Sequence, residues 1–154
     1  MTAKLNPYTA APEIMKPWMA VSDAVNTSLE HSLVELVKLR SSILNGCANC
    51  INMHTADARM AGESEQRLYL VAAWHEAPVF TPRERAALAW TDALTKLAQG
   101  HTHDAAWDAL AEHFTEEECV KLTLLINVIN GWNRIATAFG LRIETPATKK
   151  LAAA

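Results

Sequence analysis

Cys47 and Cys50 stand three residues apart, with His54 four residues beyond them and Glu35 twelve residues ahead of the first thiol. Two cysteines at this spacing form a short, reversible disulfide, and an imidazole one helical turn away can take a thiol proton. The run from Asn45 to His54 reads as a turn followed by a helix start. Each helical residue advances about 100°, so Cys47, Cys50 and His54 share an arc of roughly 60° on one face. Thiols in a first helical turn also meet unsatisfied N–H groups and the positive end of the helix dipole, which favours thiolate. These residue types in this order predict redox or nucleophilic thiol chemistry.

Glu35 falls in the middle of the preceding helix, on one side with His31 and Leu39. A helical hairpin turning at Asn45-Gly46 brings Glu35 toward the part of the thiol helix that holds His54. A carboxylate beside an imidazole fixes its tautomer and raises its basicity, giving a proton relay from Glu35 through His54 to Cys50. The competing reading makes Glu35 a solvated helix residue and His54 a surface histidine. Position alone does not decide which thiol reacts first. Cys47 gains more from the helix dipole, whereas Cys50 lies within one turn of His54.

The elements that must hold these groups are all helices. A first helix is predicted from near Pro12 to Val25, with Pro17 as a kink or restart point. Ser28 is placed as the cap of a second helix carrying Leu29, Leu33, Leu36, Val37 and Leu44, and Asn45-Gly46 stops it. The thiol helix runs to about Met60 and ends at Gly62. Ser64 caps a fourth helix through Leu68, Val71 and Trp74 that stops before Pro78. Thr81-Pro82-Arg83-Glu84 is a capping box with proline in the first helical position, opening a fifth helix that ends by Gly100. A short helix through Trp107 and Leu110 follows. A second box, Thr115 to Glu118, opens a long helix ending near Phe139-Gly140. The expectation is an all-α chain with one domain over residues 1–154, six to seven helices, and a tail over residues 141–154.

The chain has 154 residues and a net charge of −3, with half its residues hydrophobic and a fifth charged. That length suits one packed core, and the charge gives no basic footprint for nucleic acid. No apolar leader is visible near Met1, and no apolar run is long enough to cross a bilayer. Three cysteines are too few for a disulfide scaffold. A cytoplasmic protein with no membrane and no nucleic-acid partner is therefore expected.

The pattern Glu35, eleven residues, Cys47-x-x-Cys50, three residues, His54 resembles the AhpD-like alkylhydroperoxidase family, within the carboxymuconolactone decarboxylase superfamily. The flanking residues Glu35 to Arg40, Asn45-Gly46-Cys47, and Asn130-Gly131-Trp132-Asn133-Arg134-Ile135 are similar as well. The likeness runs from about Tyr8 to Phe139. It implies an all-helical fold and a thiol-dependent peroxidase that reduces hydrogen peroxide or organic hydroperoxides, with no cofactor. In that scheme Cys50 is the peroxidatic thiol, Cys47 resolves it as a disulfide, and His54 with Glu35 relays protons. A dithiol or protein reductant is implied as partner, as is a homo-oligomer such as a trimer or hexamer. The chain departs at Asn49, where some members carry a histidine.

Other chemistry stays open at this level. Cys47, Cys50 and His54 could bind zinc with His31 or Glu35 as fourth ligand, although three ligands on one helix differ from the usual zinc arrangements. A general protein thiol–disulfide oxidoreductase and a non-enzymatic, redox-sensing helical oligomer are further readings. Cys119 is expected in a helix interior, and the pair in His101-Thr102-His103 is a weak metal signal. Trp18, Trp74, Trp90, Trp107 and Trp132 are read as core or interface anchors rather than substrate contacts. Lys38 and Arg40 are assigned to a solvated or interface face.

Overall fold

The computed structural model describes residues 4–99 and 103–142. Eight α-helices are present among them: α1 (Pro7–Ala10), α2 (Pro12–Asn26), α3 (His31–Leu44), α4 (Ala48–Met60), α5 (Glu65–Leu70), α6 (Pro82–Thr95), α7 (Asp104–Ala111) and α8 (Glu116–Phe139). The count exceeds the six to seven expected because of α1. This single turn is too short to show a hydrophobic period, but Pro7 occupies its first position and the Asn6 side chain caps the Tyr8 amide. Short 3₁₀ turns over Val71–Ala73 and Leu97–Gln99 extend α5 and follow α6. Gly100, His101, Thr102 and most of the predicted tail lie outside the described residues.

Both capping boxes form as read. Thr81 accepts from the Glu84 amide and Thr115 from that of Glu118, while each glutamate returns to the cap amide. Ser28 does not cap α3. Its hydroxyl donates to the Val25 carbonyl, and Glu30 stands at the start of α3 without a side-chain cap. Pro17 does not restart α2, which is continuous from Pro12 to Asn26.

The architecture is organised around α3. It packs against α4, α6 and α8, with α2 against α8 and α7 against α6 and α8. Every residue of α3 from Leu33 to Ser42 is buried. Helices enclosed on all sides are normally apolar throughout, yet this one carries Glu35, Lys38 and Arg40. Val34 and Val37 join a core with Trp90, Leu110, Leu122, Leu125 and Ile126. Leu36 and Leu39 join a second core with Leu68, Val71, Trp74, Phe80 and Leu88. Full burial of each such aliphatic side chain contributes about 1.5–3 kcal/mol, which offsets the cost of the charges that share the helix. No helix among the described residues is long and apolar enough to cross a membrane.

The charges are buried because each has a partner. Arg40 donates from Nε and an Nη to the two oxygens of Asp92, at 2.6 Å each, and from its other Nη to the Ala72 carbonyl at 2.9 Å. This corrects the solvated assignment of Lys38 and Arg40, which are only 8% and 5% exposed. The partner of Arg40 lies 52 positions away on α6, beyond the reach of any local pattern. Arg and Lys enter a core only when paired.

Candidate active site

The turn between α3 and α4 presents the thiols. Gly46 adopts φ +64, which an L side chain rarely accepts, and the Cys47 amide returns to the Ser42 carbonyl at 3.0 Å. Asn45 is held from above by α8. Its side-chain amide donates to the Oδ1 atoms of Asn130 and Asn133, both at 2.9 Å, and to the Ser41 carbonyl at the same distance. Asn133 in turn donates to the Ser42 hydroxyl at 3.1 Å. Gly131, between them, lets α8 approach α2, because a Cβ there would stand 2.6 Å from the Trp18 ring.

Cys47 is the N-cap of α4, one position before the helical turn in which sequence had placed it. Its sulfur accepts from the Cys50 amide at 3.3 Å. Cys47 and Cys50 are joined as a disulfide. Both are buried, and the pair packs against Ala136 and Leu141 at the end of α8. Cys119, the remaining cysteine, is buried and free.

Glu35 and His54 meet as the hairpin geometry predicts. His54 Nδ1 lies 3.0 Å from Glu35 Oε2, and Lys38 Nζ donates to Glu35 Oε1 at 2.9 Å. Both Glu35 and His54 are 4% exposed, which removes the reading of either as a solvated residue. Burial pushes the Glu35 carboxyl up. Hydrogen bonds and positive charge from His54 and Lys38 overcome this and hold it at about 2. Whenever His54 is neutral, its hydrogen bond to an ionised Glu35 places the ring proton on Nδ1 and leaves Nε2 as the acceptor nitrogen. That Nε2 is buried and has no hydrogen-bond partner in the protein.

A cavity of about 210 Å³ reaches this site. Cys50, His54 and Lys38 line it together with Leu125, Val128, Ile129 and Trp132, while Tyr8, Ser22, Asn26 and Met53 complete the wall. Cys47 is not among the lining residues. Trp132 was read from sequence as an anchor, but it forms part of this wall, fixed by a 3.0 Å bond from its indole N–H to Ser22 Oγ. A larger cavity of about 420 Å³ lies on the other side of Glu35, lined by His31, Ser32 and Glu63 among others, and holds no cysteine. Of these two cavities, the smaller is the one lined by a cysteine.

Sequence reasoning missed Lys38, Asn130 and Asn133 as site-building residues. The signal for the asparagines was present but not distinct: Asn127, Asn130 and Asn133 recur every three residues of α8, and only the fold shows that the last two are buried and need partners. The metal reading gains little from the geometry. Glu35, His54 and Asp57 bring one ligand atom each within 4.8 Å of one another. Both oxygens of Glu35 are nevertheless engaged, and the Lys38 ammonium opposes a cation there. With the two sulfurs bonded to each other, neither is a thiolate ligand in this form.

The carboxymuconolactone decarboxylase family profile matches residues 12–93, a span that contains Glu35, Cys47, Cys50 and His54. The chain belongs to that family, as an AhpD-like member. It is 42% identical over 143 residues to the uncharacterized protein YdfG of Bacillus subtilis, covering 92% of this chain and 97% of YdfG. A solved protein of unknown function from Agrobacterium tumefaciens, ATU0492, provisionally assigned as an antioxidant defence protein AhpD, superposes with a TM-score of 0.90 at 45% identity. The match covers 94% of this chain and 99% of that one. The debrominase Bmp8 shares the fold at a TM-score of 0.79 and 19% identity, covering 89% of this chain and 74% of its own.

Proposed function

We propose that the chain is a thiol-dependent peroxidase that reduces hydroperoxides through a Cys47/Cys50 dithiol–disulfide cycle. One observation carries this reading: a buried Glu35–His54 pair leaves an unpartnered imidazole nitrogen on the residue that lines the same cavity as Cys50. In the reduced protein, Nε2 of His54 takes the Cys50 thiol proton. The thiolate attacks the terminal peroxide oxygen, an S–O bond forms, the O–O bond breaks, and the departing alkoxide takes the proton from the imidazolium to leave as an alcohol. Cys47 then attacks the Cys50 sulfenic acid. Its thiol proton leaves with the displaced hydroxyl as water, and the disulfide closes. An external dithiol must supply two electrons and two protons to restore both thiols.

Cys50, which lines the cavity where Cys47 does not, is taken as the thiol that attacks first, with Cys47 as the resolving thiol. As N-cap, Cys47 is also well placed to hold charge when the disulfide is reduced. Both cysteines are at most 3% exposed, which favours a small substrate over a general protein disulfide. A homo-oligomer in the cytoplasm completes the proposal, with exposed Ile14 and Val21 on α2 and Val120 on α8 available for contacts.

Stopped-flow oxidation of the reduced protein by cumene hydroperoxide tests the reading. Cys50→Ser should abolish the reaction, and Cys47→Ser should permit one oxidation without disulfide closure. Glu35→Gln and His54→Gln should each slow the reaction by about 10²–10⁴-fold, the usual value of general base assistance. Unchanged pH–rate profiles in both of the latter variants would refute the relay.

A further inference from the structure

Two asparagine–glycine pairs occur in the chain, Asn45-Gly46 and Asn130-Gly131, and the fold joins them by a hydrogen bond at the thiol turn. Such a pair is chemically labile. The glycine nitrogen, unhindered by a Cβ, attacks the asparagine Cγ; a C–N bond forms, the bond to Nδ2 breaks, and ammonia leaves behind a cyclic imide. Water then opens the ring at either carbonyl to give aspartate or isoaspartate. The two pairs meet different constraints. Asn130 and Gly131 lie inside α8, and the Asn130 NH₂ group is held by the Thr95 hydroxyl at 3.0 Å and the Ile126 carbonyl at 2.9 Å. Asn45 and Gly46 follow the end of α3 and are both exposed, and a Cβ built on Gly46 would meet nothing within 4 Å. Water therefore reaches this pair, and its guard is a set of hydrogen bonds. The Gly46 amide donates to the Ile43 carbonyl at 3.1 Å, while the Asn45 NH₂ group is shared among Ser41, Asn130 and Asn133. Cyclisation requires both groups to let go.

We infer that Asn45 is a deamidation site at which water ages the thiol turn, and that Asn130 and Asn133 of α8 set its rate by holding the amide back. The modification does not depend on the peroxidase reading. Its product is incompatible with the clamp. An aspartate at position 45 puts a carboxylate oxygen where Nδ2 now meets three acceptor oxygens. Asn130 and Asn133 cannot turn their own NH₂ groups toward it without giving up Thr95, Ile126 and Ser42. Isoaspartate also lengthens the backbone by one methylene, two residues before Cys47. Either product releases the turn from α8 and loosens the geometry in which the disulfide closes.

The test holds the oxidised full-length protein in mildly alkaline buffer below its Tm and follows both asparagines by peptide mapping, beside a synthetic peptide of residues 41–50. Asn45 should deamidate more slowly in the protein than in the peptide, and Asn130 should stay intact. Asn133→Ala removes one acceptor and should speed the loss of Asn45 by about 2–12-fold, the fold-change that corresponds to one net hydrogen bond. Asn130 should remain intact in that variant too. It reports global unfolding, which exposes both pairs, whereas local opening exposes the turn alone. Asn45 reacting as fast as in the peptide, an unchanged rate in Asn133→Ala, or equal acceleration at both pairs would each overturn the inference. Asn45→Asp, reduced and then treated with the thiol oxidant diamide, separates the consequence from any peroxide chemistry. Its Cys47–Cys50 disulfide should close more slowly than that of wild type, and equal rates would overturn the claim that deamidation disables the turn.

Discussion

The Glu35–Lys38 pair offers a direct test of how α3 tolerates charge. In Glu35→Gln the amide has one oxygen, whereas the native carboxylate serves Lys38 with one oxygen and His54 with the other. If the amide oxygen faces His54, its NH₂ group confronts the Lys38 ammonium; turned around, it confronts Nδ1–H. One buried donor loses its acceptor either way, and Lys38, 8% exposed, loses its counter-charge. Removing one partner of a buried ion pair costs about 3–5 kcal/mol. Lys38→Met should cost less, because Glu35 keeps the His54 bond. The double variant Glu35→Gln/Lys38→Met has no uncompensated charge, so it should be more stable than the sum of the single losses predicts, by about 1–3 kcal/mol. Urea unfolding of the oxidised proteins measures this, with an unchanged m-value confirming that the native and unfolded states are comparable. Additivity within about 0.5 kcal/mol, or single variants as stable as wild type, would refute the account.

Acid should destabilise the fold through the same carboxylate. Glu35 is held at about 2 against an ordinary 4.5, so its contribution is complete above pH 4.5 and is lost as the pH falls toward 2; acid titration followed by circular dichroism should show Glu35→Gln losing part of that dependence. Gly131→Ala should cost about 1–3 kcal/mol in thermal or chemical unfolding, because the new methyl meets the Trp18 ring. Asn133→Ala removes an acceptor from Asn45 and a donor to Ser42, and should cost about 1–3 kcal/mol while slowing disulfide closure after peroxide treatment, as read by thiol titration.

Much of this was legible in the sequence because it was local. The capping boxes at Thr81 and Thr115 name their own helix starts, and Asn45-Gly46 announces a left-handed stop. The spacing of Glu35 and His54 about that turn puts them at matching heights on two antiparallel helices. Burial of Lys38 and Arg40 was not legible, since it depends on what surrounds α3. Asp92, which neutralises Arg40, is on α6, and the charge of Lys38 is absorbed by a carboxylate that itself reads as solvated until α4 is folded against it. Ser28 failed as a cap because serine hydroxyls serve a nearby carbonyl as readily as an amide, and here the Val25 carbonyl at 2.8 Å won. The cavity was invisible for a different reason. Its walls come from α1, α2, α3, α4 and α8, and no single segment displays them.

The hold of α8 on the thiol turn bears on whether this chemistry is portable. Residues 12–93 contain Glu35, Cys47, Cys50 and His54, but Asn130 and Asn133 reach Asn45 across 85 and 88 positions. A helical hairpin cut from α3 and α4 and grafted into another scaffold would carry all four reactive side chains. It would leave behind the two amides that set the pitch of the turn, the Trp132 wall, and the Leu141 cover over the sulfurs. Such a transplant should still form a disulfide, as any Cys-x-x-Cys can, but as an exposed dithiol without a substrate chamber.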